Sequence, residues 1–296
     1  MRDTFAVRGR DCLEGLCGTA RNSPRLRAEV ASGGVERFQA WFPGRAFAPH
    51  RHDTYAVGIT LAGVQEFHYR GELRRCLPGQ CHVLHPDELH DGVPGDDNGF
   101  GYRIAYVDPA LVQQSLGGSP LPFVADPVPD LAAGHRARLA AILDMQAPLD
   151  ELARVEAVNA IADLLAAASG TATKRSGALP LRALSAARER IAAQPAVWPS
   201  VAALEHLSGL DRWTLARGFR AAFGTSPSRF RTMRQLDQVR RLIARGASLV
   251  EAAVEAGFAD QSHLSRQFKR AYGLTPARWA AAVARANSRP EAHGRR

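Results

Sequence analysis

One stretch of this chain is written twice. LDRWTLARGFRAAFGTSPSRF, residues 210–230, superposes without a gap on ADQSHLSRQFKRAYGLTPARW, residues 259–279, at a constant offset of 49. The matched pairs include Asp211 with Asp260, Leu215 with Leu264, Arg217 with Arg266, Phe219 with Phe268, Gly224 with Gly273, Pro227 with Pro276, Arg229 with Arg278 and, as aromatics, Phe230 with Trp279. Agreement at this many positions is not chance, and an internal repeat commits the chain to two copies of one supersecondary unit.

Each copy carries the punctuation of a helix. An Asp opens it, able to accept the orphan N–H groups of a first turn, an amphipathic run follows, and a glycine closes it. These signals predict helices over 212–223 and 261–272, with Leu215, Phe219, Leu264 and Phe268 on their core faces. A shorter apolar run precedes each one, SVAALEHL at 200–207 and SLVEAAVEA at 248–256, and Ser200 and Ser248 stand where N-caps belong. Three or four residues, containing Gly209 or Gly257, join the members of each pair, which is helix-turn-helix spacing. Between the units Pro227 opens a longer helix in which Phe230, Met233, Leu236, Val239, Leu242 and Ile243 keep helical spacing, so the units are held apart by a rigid rod. Ala216 puts a short side chain where a longer one would project, and Gly218 inside the helix weakens it by about 1 kcal/mol relative to Ala.

Charge points the same way. The net charge is +9, but residues 179–296 hold 20 Lys+Arg against 8 Asp+Glu, or +12, which leaves −3 for residues 1–178. A basic surplus confined to one part of a chain favours a polyanionic partner, because neutralised phosphates release their counterions.

Before the repeat the texture differs. VERFQAWF, TYAVGITL, VQEFHYR, CHVLH and FGYRIAYV are short apolar or alternating runs separated by Pro43-Gly44, Gly71, Pro78-Gly79 and Gly92-Val93-Pro94-Gly95, which predicts a small antiparallel barrel or sandwich. Helical periodicity follows Pro109, in 130–145 and again in 149–168, where Leu152, Val155, Val158, Ile161, Leu164 and Leu165 mark one apolar stripe. That stripe packs either on its own barrel or across a homodimer. SGTATKRSG, 169–177, has no bulky apolar residue and reads as a linker. At 296 residues a two-domain chain is expected: a flexible lead-in over 1–32, a first domain of strands and helices over 33–168, a linker over 169–178, a second, helical and basic domain over 179–285 and a flexible tail over 286–296.

These residues resemble the AraC/XylS family of bacterial regulators. AGFADQSHLSRQFKRAYGLTPARW is very similar to that family's second-unit pattern, and the likeness spans roughly 181–283. It implies that the helices 212–223 and 261–272 enter successive major grooves of promoter duplex DNA. The base-edge and groove contacts carried over by position are Arg212, Trp213 and Arg217 in the first unit and Gln261, Ser262, His263 and Arg266 in the second. Gln and Arg do pair bidentately with adenine and guanine edges. Arg217 and Arg266 are equally able to hold a phosphate.

FPGRAFAPHRHDTYAVGITLAGVQEFHYRG with CLPGQCHVLHPDELHDG resembles, more weakly, a cupin-type effector domain over about 34–108. The resemblance implies a small-molecule pocket offering His50, His52, Tyr55 and His90, with Trp41 and Phe67 as walls. Metal-binding members add a Glu after the H-x-H pair, and here Ala56-Val57 take its place, so neither a metal nor any other cofactor is expected. The fold class is α+β, a cupin-like barrel with helices followed by an all-α unit. The function expected is an effector-controlled transcription regulator, an activator working with RNA polymerase as a dimer. The competing reading is an enzyme: a metal cupin, or a thiol alkyl acceptor using Cys12 or Cys17. Cys12 and Cys17, like Cys76 and Cys81, have C-x4-C spacing, which is not a zinc knuckle, and are read as reduced structural thiols. With no apolar leader at the N-terminus and no membrane span, a cytoplasmic protein is expected.

Overall fold

The computed structural model describes residues 25–31, 33–44, 47–170, 179–273 and 275–280. Cys12, Cys17, most of the linker and lead-in, and the tail lie outside them. Nine strands come first: β1 (Arg25–Ala31), β2 (Val35–Phe42), β3 (Phe47–His50), β4 (Tyr55–Gly63), β5 (Gln65–Tyr69), β6 (Glu72–Cys76), β7 (Cys81–Leu84), β8 (His90–Pro94) and β9 (Phe100–Val107). They form two antiparallel sheets, ordered β1-β2-β9-β4-β7 and β3-β8-β5-β6, so the barrel is realised as two facing sheets. Five of the nine follow the apolar runs of the sequence. Of the other four, β1 falls within the stretch expected as a flexible lead-in and pairs along its length with β2, β3 is four residues with a proline, β6 is a charged, largely exposed edge, and β8 contains Gly92 and Pro94.

Two apolar layers result from the period-2 alternation of the strands. Between the sheets lie Phe38, Phe42, Phe47, Phe67, Phe100, Tyr102 and Tyr106, among others. On the outer face of the five-stranded sheet, Tyr55, Val57, Val83 and Ala105 pack against three helices, α1 (Pro109–Ser115), α2 (Ala133–Ile142) and α3 (Glu151–Ala168). The α3 stripe is divided by this packing. Val158, Ile161, Leu164 and Leu165 are buried on the sheet, whereas Leu152 and Val155 are 68% and 49% exposed. Arg37, itself buried, reaches out from β2 and donates to the carbonyls of Ile142, Asp144 and Ala147 at 2.8, 3.1 and 2.7 Å, which pins the α2–α3 connection.

Six helices follow: α4 (Leu181–Ala193), α5 (Val201–Ser208), α6 (Arg212–Phe223), α7 (Pro227–Ala244), α8 (Leu249–Glu255) and α9 (Gln261–Tyr272). Their caps are those read from the sequence. Ser200 accepts from Ala203 N, Asp211 from Trp213 N and Thr214 N, Asp260 from His263 N, and Ser248 forms a capping box with Glu251. Gly209, Gly224 and Gly273 close α5, α6 and α9 in the left-handed region. One core joins α4, α5 and α6 to Phe230, and a second joins α8 and α9 to Met233, Leu236 and Val239, so α7 belongs to both units. Helix α4, which the repeat does not contain, packs over Gly218. A Cβ there would stand 3.1 Å from the Leu184 side chain, close enough that the leucine would have to give way.

Candidate DNA-reading surface and effector site

Helices α6 and α9 bury Leu215, Phe219, Leu264 and Phe268 and leave their opposite faces in water. On α6 the exposed stripe is Trp213, Arg217 and Arg220; on α9 it is Ser262, Arg266 and Lys269, the same positions 49 residues on. Trp213 is 70% exposed, an unusual position for an indole unless a partner covers it. Gln261 is exposed beside Ser262, while His263 is half-buried against the Phe258 ring at 5.4 Å. Arg212 is exposed but engaged: its backbone and guanidinium donate to Glu205 at 2.9 and 3.1 Å, and these bonds hold the Glu205 carboxyl below its ordinary range. Arg212 therefore joins α5 to α6, and a base contact would require it to leave Glu205. Arg220 and Lys269 were not singled out in the sequence, although the i, i+3, i+4, i+7 spacing from Trp213 and Ser262 contains them.

The N-terminal half gathers three of its four expected pocket residues. His50 and His90 are ladder partners on β3 and β8, with ring centroids 4.4 Å apart, and His52 lies 4.8 Å from His90. All three are buried. Their Nδ1 atoms face the carbonyls of Ala48, Thr54 and Glu88 at 2.9 to 3.0 Å. A carbonyl can only accept, so in each ring Nδ1 carries the hydrogen of that bond. Burial, with His50 close by, lowers the His52 pKa to about 3, and its Nε2 has no hydrogen-bond partner. The Tyr106 ring, 5.1 Å from His52, and Phe47, 5.7 Å from His50, continue the wall.

Tyr55 and Trp41 do not join that cluster. Strand alternation turns Tyr55 to the helix side, where its hydroxyl donates to Pro122 O at 3.0 Å, and Trp41 to the outer face of β2 against Gly101. Phe67 is inside, as expected, and Tyr102, Tyr106 and His82 join it there. The sequence could have shown this: residues two apart share a face, so Ala56, not Tyr55, lines the interior of β4. Among the described residues no group of three or more His, Cys, Asp or Glu is placed to hold a metal ion. Cys76 and Cys81 are buried free thiols that burial pushes up to about 11, so neither is a ready nucleophile.

Two sheets covered by helices, followed by two helix-turn-helix units with matched exposed faces, define a ligand-binding module joined to a DNA-binding one. Residues 32–187 match the AraC-like ligand binding domain family, and residues 206–282 match a helix-turn-helix domain. The chain belongs to the AraC family and is an effector-controlled transcription regulator. It is 24% identical over 227 residues to the uncharacterized HTH-type transcriptional regulator YbfI of Bacillus subtilis, covering 74% of this chain and 81% of that one. ToxT from Vibrio cholerae has a similar fold, with a TM-score of 0.57, 10% identity, and coverage of 84% of this chain and 98% of ToxT. A ToxT structure bound to (E)-4-(8-methylnaphthalen-1-yl)but-3-enoic acid aligns at a TM-score of 0.56 with 11% identity, over 87% of this chain and 99% of that one. Among the described residues no helix is long and apolar enough to cross a membrane.

Proposed function

We propose that α6 and α9 read promoter DNA through Trp213 and Arg217 in the first unit and Gln261, Ser262, His263 and Arg266 in the second, with Arg220, Lys269 and a released Arg212 holding phosphates. The observation that carries this reading is the pair of matched exposed stripes on two helices whose other faces are core. The protein is a cytoplasmic binding protein without a catalytic step. A sensor over 33–168 and a reader over 179–285 divide its work, and the bound protein recruits RNA polymerase as an activator.

The effector is a small apolar molecule with one polar end. Its body meets the aromatic interior of Phe38, Phe47, Phe67 and Tyr106, and its polar end meets the buried imidazoles of His50, His52 and His90. The ToxT ligands, an unsaturated fatty acid in one structure and an aryl butenoic acid in another, share that shape.

The test is binding of the full chain to duplexes selected from a random pool. Arg266→Ala should weaken the selected site by about 1–3 kcal/mol and relax one base position, while Lys269→Ala should weaken all sequences alike and flatten the salt dependence. Failure to select any duplex at about 50 mM salt would sink the reading.

A further inference from the structure

The two units differ in one connection. Between α7 and the Ser248 cap of α8 stand three residues, 245–247, whereas between α4 and the matching Ser200 cap of α5 stand six, Gln194-Pro195-Ala196-Val197-Trp198-Pro199. Three suffice in one unit, so the added length in the other answers to something besides connectivity. The loop carries no charge, and its tip, Ala196-Val197-Trp198, is stiffened by a proline on either side. It turns on itself through the Val197 amide, which donates to Gln194 O at 3.0 Å. Val197 is 58% exposed and Trp198 39%.

Two side chains one turn apart on α7 seat this loop against the second unit. Arg231 donates from Nε to Pro195 O at 2.8 Å and from Nη2 to Ala196 O at 3.1 Å, while Gln235 donates to Ala256 O at 2.8 Å and Gly257 O at 3.2 Å in the α8–α9 turn. The two backbones then touch. A Cβ on Gly257, where φ is +76°, would stand 2.7 Å from Ala196 O, so only glycine admits the loop there. Three residues further on, Asp260 caps α9. At its other end the loop leads into α5, which buries Leu204 alone and whose Glu205 holds Arg212 at the start of α6. Residues 195–208 therefore run from the N-terminus of one reading helix to the N-terminus of the other.

In a helix-turn-helix the N-terminal residues of the second helix meet the base edges, and the first helix crosses the backbone. The N-termini of α6 and α9 thus mark the entrances to two successive major grooves, and between those lies a minor groove. We propose that Val197 and Trp198 are a third DNA contact, packed on the deoxyribose walls of the minor groove between the two half-sites. The partner is the duplex and not a protein, because the loop is continuous with the starts of both reading helices and the charge beside it is a cation. The Arg231 guanidinium lies 5.3 Å from the Trp198 ring centroid and has no carboxylate partner among the described residues. Apolar side chains in a minor groove gain contact where a base step opens and make no base-specific hydrogen bond, so they read how easily the interval deforms. This inference rests on the DNA-reading assignment made above.

The experiment uses the full chain and a duplex selected from a random pool, cleaved by hydroxyl radicals, which attack the sugars from the minor groove. The wild-type chain should protect the sugars of the interval as well as those at the two half-sites. Val197→Ser with Trp198→Ser should restore interval cleavage to the level of free DNA and leave the half-sites protected. On duplexes whose interval holds TA and CA steps the wild-type chain should bind about tenfold more tightly than on those with an A-tract there, and the double variant should bind both within about twofold. A folded double variant that still protects the interval would overturn the third contact. So would a wild-type interval as open to cleavage as free DNA, or equal wild-type affinity for the stiff and deformable intervals, and these two results need no variant. Selection of no duplex by the wild-type chain would instead withdraw the DNA-reading assignment, and the third contact with it.

Discussion

Lowering the pH from 7.5 to 5 should loosen the N-terminal sheets, and two histidines set the size of the effect. His52 and His85 are each 7% exposed; burial, helped by His50 in one case and Arg70 in the other, lowers their pKa values from 6.5 to about 3 and about 4. In the unfolded chain each takes up a proton near pH 6.5, while in the folded chain neither does until the pH approaches 4. Across that window the unfolded state holds more protons, so stability is full above pH 6.5 and falls as the pH drops toward 4. At pH 5 each histidine withdraws about 2 kcal/mol, and together they withdraw about 4 kcal/mol. Asp53 acts with the opposite sign, since burial pushes its carboxyl up against the pull of Arg234, and it offsets part of the loss at the acid end. Hydrogen exchange of the β2 and β9 peptides in moderate urea, followed by mass spectrometry from pH 7.5 to 5, reads this directly. His52→Gln with His85→Gln should flatten the pH slope. A double variant that keeps the full wild-type slope would refute the argument.

Three further outcomes follow from particular contacts. Gly218→Ala should destabilise the first helix-turn-helix unit in a thermal melt, because the new Cβ crowds buried Leu184 at 3.1 Å and that outweighs the helix-propensity gain of about 1 kcal/mol. Arg37→Met should lower stability to urea by about 3 kcal/mol, since three carbonyls around the α2–α3 connection lose their charged donor together. Leu152→Asp with Val155→Asp should give a monomer by light scattering if the exposed end of α3 joins two chains, whereas Val158→Asp should unfold the sensor whatever the oligomeric state, because Val158 is buried on the sheet.

The reader was legible almost residue by residue. Its helices are local objects: Ser200, Asp211, Ser248 and Asp260 cap the turns that immediately follow, and the apolar period of 3.6 names the buried face of each helix. The sensor was legible only in outline. Strands β3 and β6 have no clear apolar alternation and exist because neighbours pair with them, so a pattern reading passes over them.

What the sequence determined by itself was therefore the repeat, its caps, the basic surplus of the C-terminal part and the presence of an H-x-H pair ahead of a later His. Tertiary structure alone decided that His50 and His90 meet across β3 and β8, that Tyr55 and Trp41 turn away from them, and that Arg212 is tied to Glu205. It alone placed residues 51 and 121, far apart in the chain, on equivalent carbonyls of the two reading helices. The physical reason is range. Capping and amphipathic spacing act within a turn or two of the chain, whereas strand register and the docking of two halves are fixed by contacts between residues that are tens to hundreds of positions apart, as with His50 and His90 or Arg51 and Arg270.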